Sequence, residues 1–344
     1  MSMGTQDKPV VAVTLGDPAG IGPELIARLL ARRETLEAAN VVLVGDPWLW
    51  ADGQKVAGLE VATDRVDSLA AVRGRAGTSR PAFLPLDTVQ AQQVVRAQSD
   101  AAGGASVLRV LDRCMDAARA REIDGICFAP LNKLAMKKGG LRHEDELHHF
   151  AEYLGVTGYF CEFNTLDGLW TSRISSHVPL AEVPKYITRE RITEAARLMF
   201  RSLKANGVAA PRVAVAGFNP HNGEGGTCGR QEIDVIEPAV RELNEQGFAV
   251  MGPFPADTIF LKARDGAFDA IVTMYHDQGQ IAIKLMGFSR GVTVQGGLPI
   301  PITTPAHGTA YDIAGLGKAD VTATANAFAI AARMGLARRD SSLS

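Results

Sequence analysis

Short apolar runs alternate with longer amphipathic segments along the first half of the chain. Val10 to Leu15 (VVAVTL) and Val41 to Val44 (VVLV) are continuous apolar runs, and each is stopped by Gly-Asp-Pro. Such runs are typical of strands that are buried on both faces of a sheet. Ala105 to Arg121 carries apolar residues at helical spacing and leads into a further apolar run, Gly125 to Phe128. The pattern therefore predicts strands and helices in alternation.

The second half of the chain repeats this alternation. Amphipathic helices are predicted over Arg189 to Lys204 and Glu232 to Gln246, and strands over Arg212 to Phe218 and Ala270 to Met274. Helices that connect parallel strands form right-handed crossovers and cover both faces of the sheet. The pattern therefore predicts the α/β class.

Composition narrows the class of protein without identifying it. A length of 344 residues suggests two domains, and 36 basic against 38 acidic residues give a net charge of −2. This balance disfavours nucleic-acid binding, and no apolar run approaches the roughly 18 residues that a membrane span needs. The four cysteines form no C-x-x-C pair, and the chain does not start with a basic segment followed by an apolar one. We therefore expect a cytoplasmic enzyme with reduced thiols and a small-molecule substrate.

Three of the seven histidines follow short β-like segments, namely His177, His221 and His276. In an open parallel sheet, ligands bind beyond the carboxyl ends of the strands. Three imidazoles that meet there would suit a catalytic metal with coordination positions left open for substrate. Neutral imidazole favours Zn, Ni or Fe, whereas Mg prefers oxygen ligands. The alternative is that each histidine is hydrogen-bonded within an ordinary loop.

Three further residues have side chains suited to proton transfer. Lys284 is flanked by apolar residues, so that partial burial could lower its pKa, although its stem could also pack while the amine reaches water. Asp257 and Asp277 could orient an imidazole or relay protons, or each could cap a helix. They are the candidate catalytic residues.

Two loops have compositions that suit ligand binding. The loop from Gly16 to Pro23 connects a strand to a helix and could offer backbone N–H groups to an anion, but it could equally be a plain turn. The loop from His307 to Gly315 is built of small residues flanked by His and Asp. It could admit an adenine and a ribose, or it could simply lead into the last helix.

Six segments of the chain resemble the 4-hydroxythreonine-4-phosphate dehydrogenase family. They are VTLGDPAGIGPEL, SSHVPLAEVPKYIT, NPHNGEGGTCGRQEIDVI, PADTIF, MYHDQGQIAIKLMGF and HGTAYDIAGLGKAD, and the resemblance extends from about Val10 to Ala332. It implies an isopropylmalate/isocitrate dehydrogenase-like α/β fold, with two α/β/α domains and the active site in the interdomain cleft. We place the first domain at residues 1–140 plus 300–344 and the second at 141–299. The resemblance also implies a homodimer with a shared active site, in which the metal site combines histidines from both subunits.

The resemblance assigns roles to individual residues of this chain. It implies that His177, His221 and His276 hold a divalent metal, for which Zn is favoured and Mg, Mn, Co and Ni are alternatives. It implies that Lys284 contacts substrate and acts in catalysis with Asp257 and Asp277. The cofactor is expected to be NAD, with NADP as the alternative. The residues expected near it are His307, Gly308, Ala310 and Asp312.

Four positions depart from the family pattern for binding a phosphorylated substrate. Glu146 and Leu147 stand where the family has His and Thr, Thr293 replaces an Asn, and Ile302 replaces an Arg. A buried phosphate loses about 1.5–3 kcal/mol for each missing charge-assisted hydrogen bond. We therefore expect a substrate without phosphate, such as the carboxylated cis-dihydrodiol of terephthalate. A register shift by one residue, which would bring His148 or His149 into the pocket, would weaken this inference.

The resulting hypothesis is a metal- and NAD-dependent dehydrogenase that oxidises a hydroxyl next to a carboxylate, with decarboxylation if the new ketone lies β to that carboxylate. The alternative within the family is a true 4-hydroxythreonine-4-phosphate dehydrogenase of vitamin B6 synthesis. Two alternatives of other classes are a metal-dependent hydrolase or acyltransferase, and a non-catalytic sensor, on the same fold.

Overall fold

The computed structural model of the protein describes residues 8–73, 75 and 79–341. This part of the chain divides into two compact units. The first comprises the described residues up to Thr157, together with Val292–Val294 and the residues from Leu298 onward, and the second comprises Gly158–Gly291 and Gln295–Gly297. The first unit continues beyond residue 140, the boundary expected from the sequence, because Leu141 and Phe150 lie in its hydrophobic core.

The helices and strands follow the predicted alternation. Up to Thr157 the strands are β1 (Val10–Thr14), β2 (Asn40–Gly45), β3 (Asp64–Arg65), β4 (Ala82–Pro85) and β5 (Gly125–Phe128). The helices there are α1 (Gly22–Leu30), α2 (Arg33–Ala38), α3 (Pro47–Ala57), α4 (Ala70–Arg73), α5 (Ala101–Arg119), α6 (Lys133–Lys138) and α7 (Glu146–Tyr153). Then come β6 (Cys161–Leu166), β7 (Leu169–Arg173), α8 (Arg189–Ala205), β8 (Val213–Ala216), α9 (Glu237–Glu245), β9 (Val250–Phe254), α10 (Ala256–Arg264), β10 (Ala270–Thr273) and α11 (His276–Gly287). The chain closes with β11 (Val292–Gly296), β12 (Ile302–Pro305) and α12 (Thr322–Ser341).

In the first unit the strands lie side by side in the order β3-β4-β2-β1-β5-β12-β11. Neighbouring strands are parallel from β3 to β12, and β11 is antiparallel to β12. The apolar run predicted at Val10 to Leu15 forms β1, all five residues of which are buried. The core of this unit packs α5 against the sheet through Leu111 and Met115.

In the second unit the strand order is β6-β7-β10-β8-β9. The strands β7, β10, β8 and β9 run parallel, whereas β6 is antiparallel to β7. The carboxyl ends of these four parallel strands therefore meet at one edge of the sheet. The core of this unit places Ile271 of β10 with Ile259 and Phe260 of α10.

Local capping explains where several helices begin. The helix predicted to start at Ala105 starts at Ala101, because the Asp100 carboxylate accepts a hydrogen bond from the N–H of Gly103 at 2.6 Å. The helix predicted over Glu232 to Gln246 is a π-helical turn, Glu232–Ile236, followed by α9. A π-helical turn often marks a functional site.

Two sequence expectations concern membranes and cysteines. Among the described helices, none combines the length and the apolar character needed to cross a lipid bilayer. The four cysteines are unbridged, as predicted. Burial raises the pKa of the thiols of Cys114 and Cys127 to about 12, so that these two are inert packing residues.

Candidate functional site

The three selected histidines follow three neighbouring parallel strands of the second unit. β10 lies between β7 and β8 in the sheet. His276 begins the helix after β10, His177 follows β7, and His221 follows β8. The topology therefore brings all three to the carboxyl edge of one sheet, where parallel α/β sheets bind ligands.

The rings of His177 and His276 are close enough to share a metal ion. Their centroids are 5.8 Å apart, and the ring planes are tilted by 47°. A metal–nitrogen bond of about 2.0–2.1 Å puts each ring centroid roughly 3.2 Å from the ion, so that two rings on one ion are at most about 6.4 Å apart. The observed separation is within this limit. The ligand nitrogens of His177, His221 and His276 do not all lie within 4.8 Å of one another, so the structure brings His177 and His276 close together but does not bring the third ring to the same point.

Hydrogen bonds hold the segment that carries His177. Ser175 donates through Oγ to the carbonyl of Met274 at 2.9 Å, which ties this segment to the one that carries His276. Arg173, which is 9% exposed, donates to Ser176 Oγ at 2.9 Å and to the Asn164 side-chain oxygen at 2.9 Å. These bonds fix the backbone just before His177.

His276 also has a side-chain partner that orients it. Its Nδ1 lies 2.7 Å from a carboxylate oxygen of Asp277. An Nδ1–H donated to that carboxylate leaves Nε2 as the nitrogen with a lone pair for a metal. Carboxylate–histidine pairs of this kind orient metal-binding rings in proteins. Asp277 is therefore placed to orient His276.

His221 lies on a loop with an unusual backbone. Five consecutive residues, His221 to Gly225, have positive φ angles, which run from 44° at Glu224 to 80° at Gly223. For a residue with a side chain, this left-handed conformation costs about 1–2 kcal/mol. His221, Asn222 and Glu224 each carry that cost. Strain of this kind persists where the surrounding structure enforces it, and it is concentrated at functional sites.

A buried carboxylate enforces this loop conformation. Glu232 is 1% exposed, and one of its oxygens accepts the backbone N–H groups of Phe218 and Asn219, each at 2.7 Å. Its other oxygen accepts the side-chain amide of Asn219 at 2.9 Å. A Cβ atom on Gly223 would lie 2.8 Å from that second oxygen, so the loop packs against Glu232 with no room for a side chain.

The side chain of Gln278 connects the carboxyl end of the central strand, β10, to the carboxyl end of its neighbour β8. Its side-chain oxygen accepts the N–H of Met274 at 2.7 Å, and its side-chain amide donates to the carbonyl of Gly217 at 2.8 Å. Met274 precedes His276, and Gly217 precedes His221. A single side chain thus sets the spacing of two histidine-bearing segments.

Glu232 and Gln278 are not among the site residues predicted from the sequence. Gln278 lies in the segment MYHDQGQIAIKLMGF, and its position two residues after His276 was an available signal. Glu232 lies in the same quoted segment as His221, NPHNGEGGTCGRQEIDVI, but it reads as an ordinary acidic residue at the start of a helix, so the pattern does not indicate its contact with the His221 loop.

The remaining catalytic candidates of this unit are exposed. Asp257 lies in the first turn of α10, after β9, and so joins the same edge of the sheet. Lys284 lies on α11 and is exposed, which corrects the expectation of partial burial. The buried face of α11 consists of Gly279 and Ile283, and Lys284 lies beside that face rather than on it.

Of the predicted substrate residues, Glu146 and Leu147 begin α7 of the first unit and are buried. Asp145 caps this helix by accepting the N–H of His148 at 3.0 Å. Burial acts to raise the pKa of Asp145, but its hydrogen bonds with the backbone and ring of His148 outweigh that and hold the pKa below its ordinary value. Lys133 Nζ lies 3.8 Å from the Glu146 carboxylate, so a cation is present where the sequence suggested only an added anion.

The other two substrate candidates lie within strands. Ile302 in β12 is 0% exposed and belongs to the hydrophobic core of the first unit. The expectation that it lines a substrate pocket is wrong in this structure, because its side chain packs inside the unit. Thr293 in β11 is 9% exposed and is paired with Thr304 of the antiparallel neighbour.

The loop from His307 to Gly315, here called the candidate cofactor loop, has an open surface. Gly308 is exposed, and a Cβ built on it would meet nothing within 4 Å. Asp312 is exposed as well, as a ribose-binding carboxylate needs to be, and Ala310 has a left-handed backbone with φ of 43°. His307 is half-buried, with Nδ1 3.0 Å from the carbonyl of Gly308. These features fit a loop that a nucleotide can approach.

The loop from Gly16 to Pro23 is not an anion cradle. The N–H of Ala19 donates to the Asp17 carboxylate at 2.8 Å, and the N–H of Ile21 donates to the carbonyl of Thr309 at 3.1 Å. The N–H groups of Asp17 and Gly20 are also engaged within the protein. The groups that an anion would need are already used, so the plain-turn interpretation is correct.

Instead, this loop supports the candidate cofactor loop. Tyr311 donates its hydroxyl to the Asp17 carboxylate at 2.7 Å, and Asp17 is 2% exposed. Burial raises the pKa of Asp17, although its hydrogen bonds with Ala19 and Tyr311 oppose that shift. The hydrogen bond between Tyr311 and Asp17 therefore holds the candidate cofactor loop against the loop from Gly16 to Pro23.

Comparison with known proteins places these features in a family. The family model described as "Pyridoxal phosphate biosynthetic protein PdxA" matches residues 37–331. A Pseudomonas aeruginosa protein named "Putative 4-hydroxythreonine-4-phosphate dehydrogenase 2" is 54% identical over 335 residues, which cover 97% of this chain and 99% of that protein.

Solved structures agree on the fold. A 4-hydroxythreonine-4-phosphate dehydrogenase from Klebsiella pneumoniae has a TM-score of 0.80 and 32% identity, covering 95% of this chain and 99% of that one. A terephthalate 1,2-cis-dihydrodiol dehydrogenase from Burkholderia xenovorans LB400 has a TM-score of 0.66 and 28% identity, covering 92% and 98%.

Proposed function

The chain belongs to the family of pyridoxal phosphate biosynthetic protein PdxA, and from this premise we propose that it is a metal- and NAD-dependent dehydrogenase acting on a phosphorylated hydroxy acid. The observation that carries the proposal is the placement of three histidines at the carboxyl ends of three neighbouring strands. A dehydrogenase of this type needs a cation beside the hydroxyl that it oxidises, and imidazoles supply a site for one.

We assign the divalent ion to His177, His221 and His276, with Zn favoured by the all-nitrogen donor set. When bound, the ion would lower the pKa of the substrate hydroxyl and stabilise negative charge on its oxygen. Asp277 orients His276 through the 2.7 Å contact with Nδ1. Glu232 and Gln278 hold the segments around His221 and His276 at a fixed spacing.

Proton and hydride transfer are assigned to separate groups. NAD, bound at His307, Gly308, Ala310 and Asp312, would accept the hydride. Because Asp277 is hydrogen-bonded to His276, Lys284 and Asp257 are the better candidates to accept the proton of the substrate hydroxyl, and both are exposed. Decarboxylation is part of the proposal if the new ketone lies β to the carboxylate.

The comparisons favour a phosphorylated substrate over the carboxylated dihydrodiol expected from the sequence. The relative named for a 4-phosphate substrate is 54% identical, whereas the terephthalate dihydrodiol enzyme is 28% identical. The structure weakens two arguments against phosphate, because Ile302 lies in the core and Lys133 lies near Glu146. We therefore propose 4-hydroxythreonine-4-phosphate or a close phosphorylated hydroxy acid as substrate.

A substrate comparison tests this choice. With NAD and added Zn, kcat/KM for 4-phosphohydroxy-threonine is expected to exceed that for the terephthalate cis-dihydrodiol by at least about 100-fold, the order of discrimination between a substrate that a polar site matches and one that lacks the matching groups. NADH absorbance measures both rates. Preference for the dihydrodiol would contradict the assignment and restore the expectation from sequence. An absence of NADH with either compound, together with metal-dependent hydrolysis, would favour the hydrolase alternative.

We also propose the homodimer that the family resemblance implies. Ile281 and Leu285 lie one turn apart on α11 and are 59% and 83% exposed. Large apolar side chains exposed together mark an interaction surface more often than isolated ones do. Lys284 lies between them in sequence, so a partner that covers this helix would also cover the lysine.

Replacing Gln278 with glutamate is expected to weaken Zn binding by about tenfold, in the range seen when groups that orient metal ligands are removed. Glutamate still accepts the N–H of Met274, but it cannot donate to the carbonyl of Gly217. Titration calorimetry of the metal-free protein with Zn measures the effect. An exposed Gln92→Glu variant introduces the same charge and should bind Zn as the unchanged protein does. Equal affinity in all three proteins would show that Gln278 does not position the site.

A further inference from the structure

A cavity lies in the first unit, and none of the residues assigned to metal, substrate or NAD lines it. Its volume is about 710 Å³, within the usual range for small-molecule sites. Among the described residues that line it are five arginines. They are Arg73, Arg119, Arg121, Arg338 and Arg339. Asp124, which is 2% exposed, supplies a carboxylate to the lining.

Two of these guanidinium groups are held rigidly by the protein. Arg338 donates to the carbonyls of Pro299 at 2.8 Å, Ile123 at 2.9 Å and Ala118 at 3.2 Å. Arg73 donates to the Asp124 carboxylate at 2.8 Å. Charged donors that are already ordered lose little conformational entropy when a ligand binds.

Structural roles do not account for all of this positive charge. Arginines near the C-terminus of a helix interact favourably with the negative end of its dipole, and both α5 and α12 end at this cavity. Each helix end supplies only about half a negative charge. Asp124 and Asp340, the latter bound to Arg339 at 2.8 Å, neutralise two more positive charges. Counting only these groups, about two positive charges remain among the five arginines, in a protein whose net charge is −2.

The direction in which the surroundings shift the pKa of Arg338 agrees with crowding of like charges. Burial lowers the pKa of Arg338, Asp124 opposes that shift, and Arg121 and Arg73 lower the pKa further. A bound anion would relieve this repulsion and accept the remaining guanidinium N–H groups. Guanidinium groups favour phosphate and carboxylate oxygens, which they bind in pairs of hydrogen bonds.

From the cavity, its five arginines and the fixed placement of Arg338 and Arg73 we infer a binding site for a small multivalent anion, of the phosphate-bearing class. The concave shape favours a small molecule over an acidic protein segment, which would need an extended surface. The site is built from residues of the first unit alone, none of which is assigned to metal, substrate or NAD.

Calorimetric titration of the metal-free protein with inorganic pyrophosphate at fixed ionic strength tests the inference, with inorganic phosphate and citrate as comparison anions. An Arg119→Gln/Arg121→Asn variant removes two charges and leaves the bonds of Arg338 intact, and asparagine suits the φ of 57° at residue 121. Pyrophosphate affinity is expected to fall at least about tenfold in this variant, because two charge-assisted contacts are lost. Its kcat/KM for oxidation should be unchanged.

An Arg142→Gln/Arg201→Gln variant changes the net charge equally at two exposed positions outside the cavity and should bind pyrophosphate normally. A His177→Ala variant should bind it normally too, which separates this cavity from the catalytic site. Equal loss in both arginine variants would reduce the effect to overall charge and overturn the inference. Unchanged affinity in the Arg119/Arg121 variant, or no pyrophosphate binding by the unchanged protein, would also overturn it. Tighter binding of citrate than of pyrophosphate would contradict the phosphate class.

Discussion

A His276→Ala variant is expected to reduce NAD at least about 1000-fold more slowly than the unchanged enzyme, which corresponds to about 4 kcal/mol of activation free energy. The variant removes the central imidazole, whose strand lies between those of the other two histidines. The remaining two imidazoles would hold a divalent ion weakly. Because the His276 side chain is 39% exposed, the metal-free protein should unfold at nearly the same temperature as before. Steady-state NADH absorbance and thermal denaturation measure the two effects.

A His143→Ala variant is the matched control. His143 is a half-buried histidine of the first unit and is not one of the three assigned ligands. Its variant should keep its activity within about twofold, because His143 is not assigned to metal, substrate or NAD and surface substitutions of such residues are usually near neutral. If His276→Ala kept full activity with saturating Zn, the metal assignment would be wrong. If it unfolded before assay, zinc affinity of a His276→Gln variant would replace the rate as the decisive quantity.

A Glu232→Gln variant is expected to destabilise the protein by about 1–3 kcal/mol and to weaken zinc binding by about 10–100-fold. The two carboxylate oxygens accept three N–H donors in a buried position. Glutamine replaces one of these oxygens with an NH₂ group, which faces either the Asn219 amide or the backbone donors. The strained loop from His221 to Gly225 would then lose the group that holds it.

Chemical denaturation gives the stability, and calorimetry gives the zinc affinity. Glu237→Gln removes an exposed carboxylate at the start of the adjacent helix, so it tests the effect of charge alone. That control should bind zinc normally. If Glu232→Gln lost stability but kept its zinc affinity, Glu232 would be a purely structural residue, and His221 would not depend on it for its position.

The edge of the sheet that carries the candidate site could be predicted, because it follows from the parallel direction of the strands. Apolar runs located the strands at Val10, Val41, Gly125 and Ala270, and the last of these leads into His276. Once the strands are parallel, every residue after a strand lies at the same edge of the sheet. The local pattern was therefore sufficient for His276 and for His221, which follows the strand predicted over Arg212 to Phe218, but it did not predict the strand before His177.

Other features of the fold and of the site could not be predicted from the sequence, because they depend on contacts between residues that are distant in the chain. The antiparallel pairs β6–β7 and β11–β12 were not foreseen, because an apolar run does not specify the direction of its partner. The Gly16 to Pro23 loop offered backbone donors by its sequence, but Thr309, far along the chain, takes one of them. Ile302 matched a substrate position by alignment, although its strand places it in the core.

The exposure of Lys284 also could not be predicted from its neighbours in the sequence. Apolar neighbours in sequence suggested burial, yet Ile281 and Leu285 are themselves exposed on α11. Neighbours in a helix point in different directions, so the polarity of adjacent residues does not report the environment of the side chain between them.

The central claim is that His177, His221 and His276 bind one divalent ion, and anomalous scattering at the zinc edge from crystals of the zinc-loaded protein tests it most directly. We expect one peak for each chain, about 2.0–2.1 Å from a ring nitrogen of each of the three histidines. A peak bonded to none or only one of these rings, in a crystal with zinc bound at full occupancy, would contradict the claim.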